Sequence, residues 1–164
     1  MTRLIRAATT LAALGLLILA TTASATSPHF VRVSASGPNT AGQLIVSFKE
    51  AGLGDNQLIR YLASADARAT YACINGGDRH PQATNKESFT GPVEATGEFR
   101  SGKNGSISQS LTLNPPGPGD FTCPPGQRRI LADVAYANVA IADVTNGVSE
   151  SVPGGPFSRV FFQL

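Results

Sequence analysis

Glycine and proline recur at short intervals along most of this chain. It contains 17 glycines and 11 prolines, and all but one of these residues follow position 25. Both residue types interrupt regular structure, and their even spread suits many short strands rather than one linker. The segments between them alternate apolar and polar residues, which is typical of half-buried strands. The sequence therefore predicts an all-β fold of about eight to nine strands.

Residues 1–25 have the composition of a secretory signal peptide. Two arginines give a positive start, residues 11–20 form an apolar run, and Ala23-Ser24-Ala25 is a small-residue cleavage site. Cleavage there leaves residues 26–164, a length that suits a single domain with one core. We therefore predict a signal peptide followed by one secreted, extracellular domain.

The predicted domain has no formal net charge. Of the 13 basic residues, two lie in the signal segment, which contains no acid, so 11 basic and 11 acidic residues remain. Without a positive field, nucleic-acid binding is disfavoured. The apolar run of the signal segment is too short for a membrane span and no second run occurs, so we expect no membrane span in the mature form. We also expect a monomer without a cofactor.

Cys73 and Cys123 are the only cysteines, and both follow the signal segment. In an oxidising exterior such a pair forms a disulfide unless geometry forbids it. Closing a loop of about 50 residues would stabilise the fold by roughly 4 kcal/mol on the chain-entropy model. A zinc or redox site would need more ligands or a Cys-x-x-Cys spacing, and neither is present. We predict one Cys73–Cys123 bridge and no metal site.

Three segments lead to more specific structural predictions. Residues 57–73 combine helical and alternating spacing; we favour two short strands, with a brief helix near residues 55–62 as the alternative. The alternating segments on either side of Asn104-Gly105 predict a hairpin, because Asn-Gly supplies the positive φ angles of such turns. Near Ala137-Asn138 the alternation slips by one residue, which indicates a bulge or a tight turn.

The number and spacing of the strands, with one cysteine pair, fit a two-sheet antiparallel sandwich better than a barrel. An immunoglobulin-like topology is the natural prediction, although the chain has no tryptophan to pack against the bridge. By alternation, Tyr61, Tyr71 and Tyr136 face inward. Glu94 and Glu98 share the opposite, solvated face of their strand and do not converge as a catalytic pair.

Turn and cysteine motifs follow one another in order between residues 44 and 147. They are Tyr71-Ala72-Cys73-Ile74-Asn75-Gly76-Gly77, Gly91-Pro92, Ser101-Gly102-Lys103-Asn104-Gly105, Pro115-Pro116-Gly117-Pro118-Gly119 and Cys123-Pro124. This pattern resembles a family of small uncharacterised secreted proteins of actinobacteria and filamentous fungi. The resemblance implies an exported single domain with one disulfide, and it carries no activity or site over to this chain. Motifs built from turns and cysteines specify fold, so function stays open.

The first candidate functional surface is the long polar segment of residues 75–86, which has no periodicity. Asn75, Asp78 and His80 are its candidate binding residues. A hydrolase could use His80 with Asp78 and Ser88, but no Gly-x-Ser-x-Gly motif supports such a triad, so a solvated histidine is favoured. The single carboxylate of this segment is too few for a cation site.

The second candidate surface is the segment of residues 114–126, in which five prolines exclude ladder hydrogen bonds. Phe121 is its candidate binding residue; the alternative is that this ring only plugs the loop onto the core. A proline-stiffened loop tethered by a disulfide loses little entropy on binding, as a protease inhibitor requires. An ordinary connection between strands would have the same composition.

These observations favour a secreted, non-catalytic β-sandwich that acts as an extracellular binding or surface-interaction module for a polysaccharide or a protein. Two alternatives remain: an inhibitor of secreted enzymes that uses residues 114–126, and a small hydrolase that uses His80. No catalytic residue is assigned. Asn104-Gly105-Ser106 also matches the N-glycosylation pattern, although turn chemistry explains the same residues.

Overall fold

The computed structural model describes residues 27–75 and 85–163. The predicted signal segment lies outside them. The described part contains eight strands, in chain order β1 (His29–Ser36), β2 (Leu44–Ala51), β3 (Leu58–Asn75), β4 (Lys86–Arg100), β5 (Ile107–Leu113), β6 (Gln127–Asp143), β7 (Val148–Ser151) and β8 (Phe157–Val160). Over these residues, no helix is long and apolar enough to cross a membrane.

The strands form two antiparallel sheets. A three-stranded sheet has the order β1-β2-β5, and a five-stranded sheet has the order β4-β3-β6-β7, with β8 also paired to β6. β8 and β7 lie along successive parts of one edge of β6, because β8 pairs with residues 133–136 and β7 with residues 140–143. This architecture confirms the predicted all-β, two-sheet sandwich.

The core lies between the sheets and follows the alternation of their strands. Large apolar side chains of the three-stranded sheet and small ones of β3 belong to one buried cluster, which includes Leu44, Val46, Phe48, Ala63, Ala65, Ala67 and Ala69. Alanines at every second position of the long central strand leave room for the larger side chains of the facing sheet. Burial of this apolar surface is the main favourable contribution to folding.

The tyrosines face inward, as predicted. Tyr61 and Tyr136 have no exposed surface, and Tyr71 is half-buried. The Tyr136 hydroxyl donates to the Gly42 carbonyl at 2.7 Å, and the Tyr71 hydroxyl donates to the Pro116 carbonyl at 2.8 Å. Burial raises the pKa of all three hydroxyl groups, which therefore remain hydrogen-bond donors.

The strand order can be compared with that of a constant-type immunoglobulin domain. In such a domain the first, second, fifth and fourth strands form one sheet, and the third, sixth and seventh strands form the other. Here β1, β2 and β5 also share one sheet, and β3, β6 and β7 share the other. β4 differs, because it pairs with β3 instead of β5. The immunoglobulin-like topology stays a prediction.

The prediction for residues 57–73 is wrong. These residues form neither two short strands nor a helix, because all of them after Gln57 belong to the single 18-residue strand β3. β3 pairs with β4 on one side and with β6 on the other over most of its length. Hydrogen bonds to two neighbouring strands stabilise a long strand. The alternation of the sequence is local and does not reveal these neighbours.

The predicted hairpin at Asn104-Gly105 is also wrong. The turn is present, with the Gly105 N–H donating to the Gly102 carbonyl at 2.8 Å, but β4 pairs with β3 and β5 pairs with β2. The chain crosses between the sheets at Ser101, whose buried hydroxyl donates to the Gly54 carbonyl at 2.7 Å and accepts the Gln57 N–H at 2.8 Å. These bonds attach the corner to the β2–β3 connection. A turn motif specifies a reversal of the chain and not the partners of its strands.

The slip near Ala137-Asn138 is a β-bulge, one of the two alternatives predicted. The register of β6 against β3 shifts between the pairs Ser64–Ala140 and Asp66–Ala137. Asn138 has a φ of 52°, in the left-handed region, and its Nδ2 donates to Asp66 Oδ2 at 2.7 Å. The bulge restores the inward direction of the alternating side chains that follow it.

β4 is an edge strand of the five-stranded sheet. Glu94 and Glu98 are exposed on it, as predicted. Pro92 lies in the middle of the strand, opposite Asp66 of β3.

Candidate functional site

The disulfide lies where the two candidate loops meet the sheet. Cys73, near the end of β3, is bonded to Cys123, with 5.6 Å between the Cα atoms. This confirms the predicted bridge, and the described residues contain no free cysteine. Such a bond is compatible with an oxidising extracellular setting.

The segment of residues 114–126, called the proline loop below, is held to the body at further points. The Tyr71 hydroxyl binds its Pro116 carbonyl, and Arg129 Nη1 donates to the Phe121 carbonyl at 2.6 Å. The Phe121 N–H donates to the Pro118 carbonyl at 3.0 Å, and the residue is half-buried. Hydrogen bonds to the N–H and to the carbonyl of Phe121 therefore hold its backbone in place, while the residue stays partly exposed.

The residues predicted for the first loop are only partly described. Asn75 is the exposed last residue of β3. The Cys73 N–H donates to the Asn85 carbonyl at 3.0 Å, so the ends of the loop are joined next to the disulfide. Asp78 and His80 lie outside the described residues.

An open groove of about 450 Å³ lies on the outer face of the five-stranded sheet, near the same end of β3. We call it the outer groove. Strand pairing places Ser88 of β4, Thr70 of β3, Asp133 of β6 and Val160 of β8 side by side across it. Its further lining residues include Arg68, Lys86, Ser158, Arg159 and Phe162.

The outer groove carries more positive than negative side chains. Arg68 and Lys86 are exposed. They lie four positions apart along β3, because Lys86 is opposite Ala72, which corresponds to roughly 13 Å. Asp133 is the only acid among the described lining residues. Arg159 also lines the groove, with its guanidinium over the Phe161 ring and its Nη1 donating to the Pro38 carbonyl at 3.1 Å, so three cations and one acid give the groove a positive field.

Hydroxyl groups lie beside these cations. Thr70 Oγ1 and Ser88 Oγ are 2.9 Å apart and share a hydrogen bond. Thr70 is 3% exposed, so this bond fixes a hydroxyl group in the floor of the groove, whereas Ser88 and Ser158 are exposed. Each hydroxyl can donate one hydrogen bond and accept two.

One rim of the outer groove is apolar. Val160 is 61% exposed and Phe162 is 38% exposed, which places both among the most exposed large apolar residues of the described chain. The Phe162 N–H donates to the Ala132 carbonyl at 3.1 Å, which holds its backbone against β6. An exposed phenyl ring offers a flat apolar face beside the polar floor.

A second polar cluster lies inside the core. Glu50 of β2, Tyr61 of β3 and Asp143 of β6 have no exposed surface. The Tyr61 hydroxyl donates to Glu50 Oε2 at 2.7 Å, and the second oxygen, Glu50 Oε1, is buried with no donor near it. Asp143 accepts hydrogen bonds from the backbone N–H and the side-chain amide of Asn146. This cluster is closed to any substrate.

The surroundings of Glu50 favour its neutral form. The rings of Phe30, Phe48 and Phe99 lie around Tyr61, with centroid distances of 4.4 to 6.5 Å. Burial raises the pKa of Glu50 from 4.5 to about 7; the hydrogen bond from Tyr61 opposes this shift and the charge of Asp143 adds to it.

Sequence reasoning missed both polar clusters, for different reasons. Glu50 and Asp143 continue the inward alternation of β2 and β6, so alternation alone could have found them. The outer groove draws on β3, β4, β6 and β8 and on the chain after β8, and no short stretch of sequence contains enough of it to form a motif.

Among the residues described, no group of three or more histidine, cysteine, aspartate or glutamate side chains could hold a metal ion. The chain matches no family model, no curated protein and no solved structure.

Proposed function

We propose that this protein is a non-catalytic extracellular binding module whose outer groove holds an anionic polysaccharide. The observation that carries the proposal is the pair of exposed cations, Arg68 and Lys86, beside hydroxyl groups and an exposed phenyl ring. The predicted signal peptide and the disulfide support an extracellular location.

The chemistry of the outer groove suits a sugar polymer that carries carboxylates. A guanidinium binds a carboxylate with two parallel hydrogen bonds, and an ammonium binds it as a point charge. The separation of Arg68 and Lys86, roughly 13 Å along the strands, exceeds the size of one sugar, so a polymer chain would contact both. Thr70, Ser88 and Ser158 can bind sugar hydroxyls, and Phe162 can pack against a sugar ring.

Binding fits the groove better than catalysis does. Glycoside hydrolysis uses two carboxyl groups on either side of the bond that breaks, and Asp133 is the only acid among the lining residues that the structure describes. A serine nucleophile needs a neighbouring base, and the partner of Ser88 Oγ is the hydroxyl of Thr70.

The described ends of the first candidate loop and the proline loop lie near the same end of β3 as the outer groove. Cys73, which joins both loops, lies three residues beyond Thr70 on β3. We therefore include Asn75 and Phe121 in the proposed contact region, where they would extend the bound surface beyond the groove. Asp78 and His80 lie outside the described residues and stay predicted contacts from the sequence.

Affinity electrophoresis tests this proposal. The purified protein is run through native gels that contain polygalacturonate, a neutral glucan or no polymer, beside the variants Arg68→Ala and Lys86→Ala. We expect retardation by polygalacturonate alone, at least tenfold weaker binding for each variant, and weaker retardation at high salt. Arg60→Ala is the matched control, because Arg60 is an exposed arginine at the other end of β3.

Two results would overturn the proposal. If polygalacturonate does not retard the protein, an anionic polysaccharide is excluded as the ligand. An equal loss of binding in Arg60→Ala would show attraction to overall charge instead of recognition in the groove.

The proline loop supports the alternative of an inhibitor of secreted enzymes, because the disulfide and the Arg129–Phe121 hydrogen bond hold it in place. Assays against secreted proteases distinguish this alternative: inhibition would be lost on cutting the loop or in Phe121→Ala. The hydrolase alternative predicts instead an activity that His80→Ala abolishes.

A further inference from the structure

We infer that Glu50 and Asp143 form a proton-binding site between the two sheets, in which Glu50 Oε1 carries the proton and donates a hydrogen bond to the Asp143 carboxylate. The site makes the packing of the sandwich dependent on pH. It is independent of the proposed ligand.

The hydrogen bonding of the two groups requires a proton. An ionised carboxylate can only accept hydrogen bonds, so with both groups ionised one oxygen of Glu50 would stay without a donor. Glu50 Oε2 accepts the Tyr61 hydroxyl, and Oε1 is the buried atom that lacks a donor. Asp143 is the strand partner of Tyr61, so both carboxyl side chains lie beside this tyrosine, and the charge of Asp143 raises the pKa of Glu50. A proton on Oε1 therefore satisfies the atom that is otherwise unpaired.

The proton belongs on Glu50 because Asp143 is already an acceptor. Both Asp143 oxygens take hydrogen bonds from Asn146, at the turn that follows β6. Glu50 has only the one donor, Tyr61, and its neighbours on the adjacent strands, Phe30 and Ile107, are apolar. A charge on Glu50 would be poorly solvated there.

The charged and titratable groups that act on Glu50 come from three strands. They are Tyr61 of β3, Asp143 of β6 and His29 of β1, and His29 favours the charged form of Glu50. Burial outweighs these interactions and raises the pKa of Glu50 to about 7, against 4.5 for an unfolded chain.

The sign of the pH effect follows from this difference. The folded protein retains the proton to a higher pH than the unfolded chain does. The contribution to stability is therefore complete below about pH 4.5 and is lost as the pH rises through about 7. Between pH 5 and 8.5 the unfolding equilibrium constant should rise on the order of 100-fold from this group alone.

Denaturant unfolding at pH 5 and 8.5 tests the inference in a His29→Gln background, which removes the histidine near Glu50. Glu50→Gln keeps a neutral side chain of the same shape at both pH values. It should unfold at similar urea concentrations at pH 5 and 8.5, whereas the parent protein should lose stability at the higher pH. Glu94→Gln, at an exposed position of β4, is the matched control and should behave like the parent.

A carboxyl carbon titration by NMR provides a second measurement that needs no variant at Glu50. We expect the Glu50 carboxyl to titrate near pH 7. Titration near 4.5, or an equal pH dependence in Glu50→Gln and its parent, would overturn the inference.

Discussion

Tyr61 of the five-stranded sheet and Glu50 of the three-stranded sheet are joined in the core by a hydrogen bond of 2.7 Å from the tyrosine hydroxyl to Glu50 Oε2. Both side chains are fully buried. Apolar contacts between sheets have little directional preference, whereas a hydrogen bond has a preferred distance and angle. This contact therefore helps to define how one sheet lies on the other.

Replacing Tyr61 by Phe should destabilise the protein by about 1 to 3 kcal/mol at pH 5, because a buried acceptor loses its donor while the ring packing remains. The hydrogen bond from Tyr61 lowers the pKa of Glu50, so its loss should move the pH range of destabilisation upward. Urea midpoints over a pH series measure both effects. Tyr71→Phe, at a half-buried position, should leave the pH profile unchanged, and an unaltered midpoint in Tyr61→Phe would contradict this account.

Removing the disulfide by the double substitution Cys73→Ala and Cys123→Ala should lower stability by about 4 kcal/mol on the chain-entropy model. For a domain of this size that corresponds to a fall in Tm of roughly 10 to 20 °C. Calorimetry measures the change. Two reactive thiols in the native parent protein would show that the bridge does not form in solution.

The bulge at Asn138 should tolerate glycine and not valine. Asn138→Gly keeps the left-handed backbone and loses the side-chain bond to Asp66, so we expect a loss of about 1 kcal/mol. Asn138→Val places a β-branched residue at positive φ and should cost about 1 to 3 kcal/mol more. Chemical denaturation distinguishes the two variants, and equal stabilities would exclude a requirement for this backbone conformation.

Ser101→Ala should destabilise the corner between β4 and β5 by about 1 to 3 kcal/mol. The substitution leaves the Gly54 carbonyl and the Gln57 N–H without their partner at a part-buried position. Ser110→Ala, at an exposed position of β5, is the control and should change stability by less than about 0.5 kcal/mol. Thermal unfolding of the pair provides the test, and similar Tm values would argue against a structural role for the Ser101 hydroxyl.

Sequence patterns predicted the local features of this fold well. The turn at Asn104-Gly105, the bulge at Asn138 and the inward direction of Tyr61 each depend on residues close together in the chain. Predicting the disulfide required only the number of cysteines and the expected extracellular compartment.

Long-range partners were beyond these patterns. Whether β5 pairs with β4 or with β2 depends on which arrangement buries more apolar surface, and the turn between them is compatible with both. The outer groove could not be predicted for the same reason, since Arg68 and Phe162 come together only through the pairing of β3, β6 and β8.

Pro92 affects how the protein behaves at high concentration. The free edge of β4 is 15 residues long and could serve as a template for a strand from another molecule, which is how fibrils begin. Proline is accommodated in a sheet where its nitrogen faces such an edge, and it has no hydrogen to offer an incoming strand. Pro92 lies near the middle, so it divides the edge into two short stretches and hinders continuous aggregation along β4.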